Sequence, residues 1–171
     1  MRSRGGKKIL HVAICHYSNW KFAKGLRSKS RSVEHLRYIA VQEAKSKVKV
    51  IRTDLGGEYM NLEMGKMLEA IGAKHETSAS GVSQQNGRAE KSVQDVMGKV
   101  RINLQTLCRG LDLWAEAANY AVYHLNRMPC YSNPDMASPY FMCYGRHPNY
   151  KELATTIRTS LHSNVPEEKD T

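Results

Sequence analysis

The strongest constraint on this chain is a hydrophobic period that alternates between two and about 3.6 residues from residue 8 to residue 125. Residues 8–15 (KILHVAIC) and 20–26 (WKFAKGL) read as strands, joined by a polar turn around Tyr17, Ser18 and Asn19. Residues 30–45 read as a helix, with Ser32 as a candidate cap and Val33, Leu36, Ile39 and Ala40 on one face. Residues 48–53 (VKVIRT) predict a short strand that ends at Asp54. A second helix is predicted over 61–71. Asn61 would cap it, Met64, Met67, Leu68 and Ile71 would face inward, and Gly72 would stop it in the left-handed conformation. The stretch AKHETSA predicts a further strand. Residues 78–87 (SASGVSQQNG) lack any period and predict a mobile loop. From about Gln85 a long helix runs to Leu107, with Val93, Val96, Val100, Leu104 and Leu107 as its buried face. Another helix follows Asp112, its expected N-cap, with Trp114, Ala117, Ala118, Ala121, Val122 and Leu125 turned to the core. Strand, strand, helix, strand, helix, strand, helix, helix is the order of an α/β domain, here expected over residues 1–150, with a polar tail at 151–171.

Charge is unevenly placed. Residues 1–53 carry 14 Lys and Arg against two acids, Glu34 and Glu43, a net charge of +12. Residues 54–171 carry 12 against 14, a net of −2. A basic segment of this kind attracts polyanions such as DNA or RNA, although a solvated basic face with no specific partner has the same composition. The four cysteines, at 15, 108, 130 and 143, form no C-x-x-C pair, which argues against a zinc ribbon and for reduced thiols in an intracellular protein. The apolar start lacks a signal-peptide cleavage pattern, and no apolar run is long enough to cross a bilayer.

Two acids stand out by position. Asp54 closes a strand and is followed by Gly56 and Gly57 in the stretch TDLGGEY. Strand carboxyl ends are where α/β sheets place ligands, and glycine there lets a large substrate approach. Glu90, in QQNGRAE, sits in the first turns of the long helix. Two carboxylates from such elements suit a hard divalent cation such as Mg²⁺, which binds through oxygen. Acids also end strands and begin helices for stability alone, so the pair by itself is a weak signal.

The neighbouring residues strengthen it. VIRTDLGGEY, TSASGVSQQNGRAEKSVQDVMGKVR, LWAEAANYAVYHLNRMPC and YGRHPN, in order across most of residues 6–150, resemble the integrase core of copia-type long-terminal-repeat retrotransposons. Asp54 and Glu90 have 35 residues between them, the interval of the last two acids in the D,D-35-E integrase pattern. The resemblance implies a ribonuclease H-like mixed sheet flanked by helices, and polynucleotidyl transfer with Mg²⁺ or Mn²⁺ held at the acids. Asp54 and Glu90 would be the second and third catalytic acids. Gln85, Asn86, Gly87 and Lys91 match the loop and helix that touch DNA. It also implies DNA as partner, a possible homo-oligomer, and nuclear action if the chain is functional.

The pattern has gaps. Cys15 and His16 stand where the family often has an Asp pair, Leu55 where Asn is common, and Ala79 and Ser83 where prolines usually stiffen the loop. The first catalytic acid belongs to a central strand upstream of GGKKILHVAICHYSNW. Glu34 and Glu43, the acids upstream of Asp54, fall in a predicted helix instead. Without its central strand the sheet leaves backbone N–H and C=O groups unpaired on the strands at 8–15 and 48–53. The expectation is an integrase core by descent that is inactive as this isolated chain, or a nucleic-acid-binding remnant without catalysis. The 171-residue chain alone is expected to be marginally stable or to aggregate. Scanning calorimetry at two concentrations checks this, and a sharp, reversible, monomeric transition would refute it.

Overall fold

The computed structural model describes residues 2–43, 48–77, 83–106 and 110–151, with backbone alone at 83–86. Its first eight elements run in the predicted order: β1 (Ile9–Ile14), β2 (Lys21–Leu26), α1 (Ser32–Tyr38), β3 (Val50–Thr53), α2 (Leu62–Ile71), β4 (Lys74–Thr77), α3 (Ser83–Thr106) and α4 (Trp114–Leu125); a further short helix, α5 (Pro139–Tyr144), follows. No helix among the described residues is long and apolar enough to cross a membrane. The predicted tail, apart from Lys151, lies outside the described residues, as does the loop segment 78–82.

The strands form two separate pairs. β1 and β2 are antiparallel, with Ile9 opposite Leu26 and Ile14 opposite Lys21. β3 and β4 are parallel across the α2 connection, with Val50 opposite Lys74 and Thr53 opposite Thr77. Among the described residues no ladder joins β1 to β3. Each pair has its own apolar core. Val96, Val100 and Leu104 of α3 and Ala117, Ala118 and Ala121 of α4 pack together, with Leu10, Val12 and Ala23 of the hairpin against them. Val33 and Leu36 of α1, Ile51 of β3, and Met64, Met67 and Leu68 of α2 make the second cluster, which Ala13 of β1 also touches. The alanines of α4 let it approach β2 closely: a Cβ added at Gly25 would lie 2.9 Å from that of Ala115.

Several local expectations need correction. The helix predicted at 30–45 is α-helical only to Tyr38 and widens into a π-helical turn at Ile39–Glu43, which turns Ile39 and Ala40 consecutively into the interior. Ser32 does not cap α1, which has no side-chain cap, although the residue is buried. Asp112 does not cap α4 either. It sits in a short 3-10 turn, Leu111–Leu113, and pairs with Arg4 at 3.0 Å. The loop expected to 87 ends earlier, because α3 begins at Ser83. Val93 of α3 is exposed rather than buried, and Leu107 falls outside the described residues. By contrast, Asn61 accepts a hydrogen bond from the Met64 amide at 2.9 Å and Gly72 adopts φ 66°, as their residue types dictate.

Side-chain amides replace missing backbone partners at the start of β2. Asn126, at the end of α4, accepts from the Lys21 N–H and donates to the Lys21 carbonyl, both at 2.8 Å. It is only 2% exposed. Asn133 donates to the Ser18 carbonyl and accepts from the Asn19 side-chain Nδ2, which fixes the β1–β2 turn where Asn19 adopts φ 57°. Across the gap between the strand pairs, His11 of β1 and His35 of α1 approach Nδ1 to Nδ1 at 2.7 Å, and His11 Nε2 meets the Tyr59 hydroxyl at 3.0 Å. One Nδ1 must donate and the other accept, so at least the accepting ring is neutral, and the protonation of one ring sets that of the other.

Two outcomes follow. Replacing Asn126 by Ala strands the Lys21 N–H and carbonyl in the interior and costs about 2–4 kcal/mol, measurable by denaturant unfolding. Burial pushes the His11 imidazole down to about 4, against the opposing pull of Glu58. Burial, then the charges of His11 and Lys24, push His35 down to about 3. The unfolded chain therefore binds protons first. Stability from this pair is complete above the ordinary histidine value near 6.5 and declines as pH falls through the window down to about 3. A His11→Gln, His35→Gln variant should show a flatter stability curve in that window when unfolding is followed by circular dichroism.

Candidate active site

Asp54 stands one residue beyond β3, where the parallel pairing with β4 ends at Thr53 and Thr77. The strand end is anchored from behind: Thr53 Oγ1 lies 2.9 Å from the His75 ring and donates to the Asp54 carbonyl at 2.9 Å. Cross-strand partners Arg52 and Glu76 add an ion pair at 2.6 Å on the solvent face. The Asp54 carboxylate is exposed, and its Oδ1 accepts from the Gly56 N–H at 3.1 Å. One lone pair is thus committed to backbone, while the rest faces water.

Gly56 explains the first glycine of TDLGGEY. A Cβ built there would come within 2.9 Å of Asp54 Oδ1 and within 2.9 Å of Glu58 Oε2. Both oxygens therefore lie close to one point, no more than 5.8 Å apart. Any side chain at 56 would push them away. Glu58 is the acid that sequence reasoning passed over, although it stands four residues after Asp54 in the same quoted stretch. Its charge also reaches His11 and Tyr59, raising the proton affinity of both. Tyr59 closes the loop: its N–H donates to the Gly56 carbonyl at 2.9 Å and its hydroxyl binds His11. The loop bearing Asp54 is in this way tied to β1.

Glu90 lies in the third turn of α3 with an exposed carboxylate. The helix around it is positioned by its neighbours. Arg88 donates to the His16 carbonyl at 2.8 Å, which links α3 to the β1–β2 turn, and Ser92 donates back to the Arg88 carbonyl at 2.8 Å. Lys91 pairs with Asp95 one turn on at 3.4 Å, and Asp95 also lies 3.9 Å from Lys21 Nζ. Gly87 has open space where a side chain would project. The side chains of Gln85 and Asn86 lie outside the described residues.

The two predicted acids thus sit on the expected elements, a strand end and a helix. All the donors are carboxylate oxygens, the chemistry that Mg²⁺ or Mn²⁺ prefers. Among the described residues, however, no group of three or more His, Cys, Asp and Glu side chains is arranged to hold a metal ion. Asp54 and Glu90 are the residues of this chain that would hold such an ion, each presenting an exposed carboxylate.

No family model matches the chain. It is 30% identical over 132 residues to the Retrovirus-related Pol polyprotein from transposon TNT 1-94 of Nicotiana tabacum, covering 75% of this chain and 10% of that protein. It is 23% identical over 147 residues to the Retrovirus-related Pol polyprotein from transposon RE2 of Arabidopsis thaliana, covering 83% and 10%. The chain thus spans about a tenth of the length of these curated relatives. Its fold is that of the HTLV-2 integrase catalytic core domain solved in complex with magnesium in a trimeric form, with a TM-score of 0.64 and 19% identity over 83% of this chain and 88% of that one. A simian T-cell lymphotropic virus intasome in complex with PP2A regulatory subunit B56 gamma gives a TM-score of 0.67 at 14% identity, over 100% of this chain and 55% of its match. The chain is thus related in sequence to the Pol polyproteins of long-terminal-repeat retrotransposons and shares its ribonuclease H-like fold with retroviral integrase catalytic cores.

Proposed function

We propose that this chain is the DNA-facing core of a copia-type integrase, built for polynucleotidyl transfer and inactive when isolated. The observation that carries the reading is the placement of Asp54 at the end of β3 and Glu90 on α3, with 35 residues between them. In such a site divalent ions would activate an attacking hydroxyl and stabilise the leaving oxygen. The chain's own residues contribute two corners. Asp54 is oriented by the Gly56 N–H, and Glu90 is carried on a helix that Arg88 fixes to the β1–β2 turn. Gln85, Asn86, Gly87 and Lys91 are proposed as the DNA contacts around Glu90, with action on nuclear DNA and assembly of several copies. Lys91 would exchange its ion pair with Asp95 for a phosphate.

The reading of inactivity is supported by the lack, among the described residues, of a group of three or more His, Cys, Asp and Glu side chains arranged to hold a metal ion. Removing one ligand from a site that depends on metal-borne charge costs several orders of magnitude in rate. A second reading, a nucleic-acid-binding remnant, is favoured by the net +12 of residues 1–53. Strand transfer on labelled DNA ends with Mg²⁺ or Mn²⁺ is expected to give no product with the chain alone. Product that disappears with Glu90→Gln would refute inactivity. Filter binding over a salt series tests the basic segment: the logarithm of the binding constant should fall steeply with the logarithm of salt, and a flat line would leave both readings without their electrostatic support.

A further inference from the structure

At the far end of the β1–β2 hairpin lies a cavity of about 280 Å³. Its walls are Lys7, just before β1, Lys24 and Arg27 from the end of β2, and Arg31 and Glu34 from the start of α1; its floor includes Gly25, Leu26 and the buried His35. Four cations thus face one carboxylate, and that carboxylate is already engaged, since Arg31 Nη1 lies 3.2 Å from Glu34 Oε2. Lys24 holds its ammonium 5.3 Å from the centre of the Tyr38 ring. Lys7 and Arg27 have no ion pair among the described residues, so their charge is open to a ligand.

The concavity is built by the backbone rather than by loose surface chains. The missing side chain at Gly25 lets the stem of Lys7 lie flat on β2: a Cβ there would come within 3.1 Å of Lys7 Cγ and 3.2 Å of its Cβ. Lysine and arginine commonly lay their stems on apolar surface while the charged ends reach outward. The Lys8 N–H donates to the Leu26 carbonyl at 2.8 Å, so the segment carrying Lys7 is fixed to β2.

We propose that this cavity is a phosphate-binding site, distinct from the acids at Asp54 and Glu90. Lys7 and Arg27 are its principal contacts, and Arg31 shifts from Glu34 toward the ligand. Arginine recognises phosphate with paired N–H donors and lysine as a point charge. The location gives the site a geometric meaning. The His16 carbonyl, at the opposite end of the hairpin, meets Arg88, two residues before Glu90. Each strand has six residues, so the two ends are separated by roughly 17 Å at ordinary strand rise. A polynucleotide bound at Glu90 and tracking along the hairpin would reach the cavity with a backbone phosphate; a free di- or triphosphate has the same chemistry.

The probes are inorganic pyrophosphate and a fluorescein-labelled DNA duplex, each titrated against the full chain. Wild type should bind pyrophosphate, with Lys7→Gln and Arg27→Gln each weakening it by about tenfold. Glu34→Gln removes the one acid among the described residues lining the cavity and should tighten binding, an outcome that misfolding cannot imitate. Lys66→Gln, with its exposed cation on α2, is the control for net charge. If the source is nucleic acid, the duplex displaces pyrophosphate, and each of the two weakening variants lowers the salt slope for the duplex by about 0.9. If it is a free phosphate ester, pyrophosphate binds and the duplex leaves it in place. Pyrophosphate binding without any duplex binding would sink the DNA reading and keep this site. Lack of pyrophosphate binding, or an equal loss with Lys66→Gln, would overturn the site itself.

Discussion

The two halves of this domain are held together by a buried chain of hydrogen bonds through His11 rather than by a continuous sheet. β1–β2 and β3–β4 each complete their own ladders, and each has its own apolar cluster. Contacts that cross between them include Ala13 packing on the second cluster, His11 touching His35 on α1, His11 reaching Tyr59 beyond β3, and Lys24 of β2 over the Tyr38 ring of α1. Ladder hydrogen bonds would tolerate almost any side chain. A pair of neutral imidazoles tolerates only one proton between the facing nitrogens. The register of the Asp54 loop against the hairpin therefore depends on protonation state, a dependence that ordinary strand pairing would not have introduced.

Element types were legible in the sequence because period and caps agreed. The α2 helix is the clearest case: Asn61, the methionine face and Gly72 each did what their chemistry requires. Failures fell where tertiary partners outcompeted local rules. Ser32 and Asp112 have the right side chains for capping, but Ser32 is buried without capping and Arg4 engages Asp112 instead. The α5 helix escaped the periodic reading because six residues hold less than two turns of pattern. Its signals were present all the same in Ser138, which accepts from the Phe141 amide, Pro139 in the first turn and Gly145 at the end.

The candidate site was half visible. Asp54 and Glu90 could be found by interval and by the elements that carry them. Glu58 could not, since an acid four residues from another has no intrinsic meaning in a loop; only the close approach at Gly56 shows that the two carboxylates share a small space. The buried histidine pair was equally hidden, because His11 and His35 are 24 residues apart and neither has the spacing of a metal ligand. Dividing the charge by segment did more than counting it: the basic first third supplies the four cations of the cavity at the hairpin end.

The Asn126 amide has a consequence for how molecules of this kind meet one another. By presenting one acceptor and one donor to Lys21, it imitates a residue of an adjoining strand and closes the outer edge of the hairpin where β2 begins. Along β1, the described residues supply no such substitute on the side away from β2. An extended segment approaching the hairpin would therefore find the backbone at the Lys21 end of β2 already satisfied by a side chain.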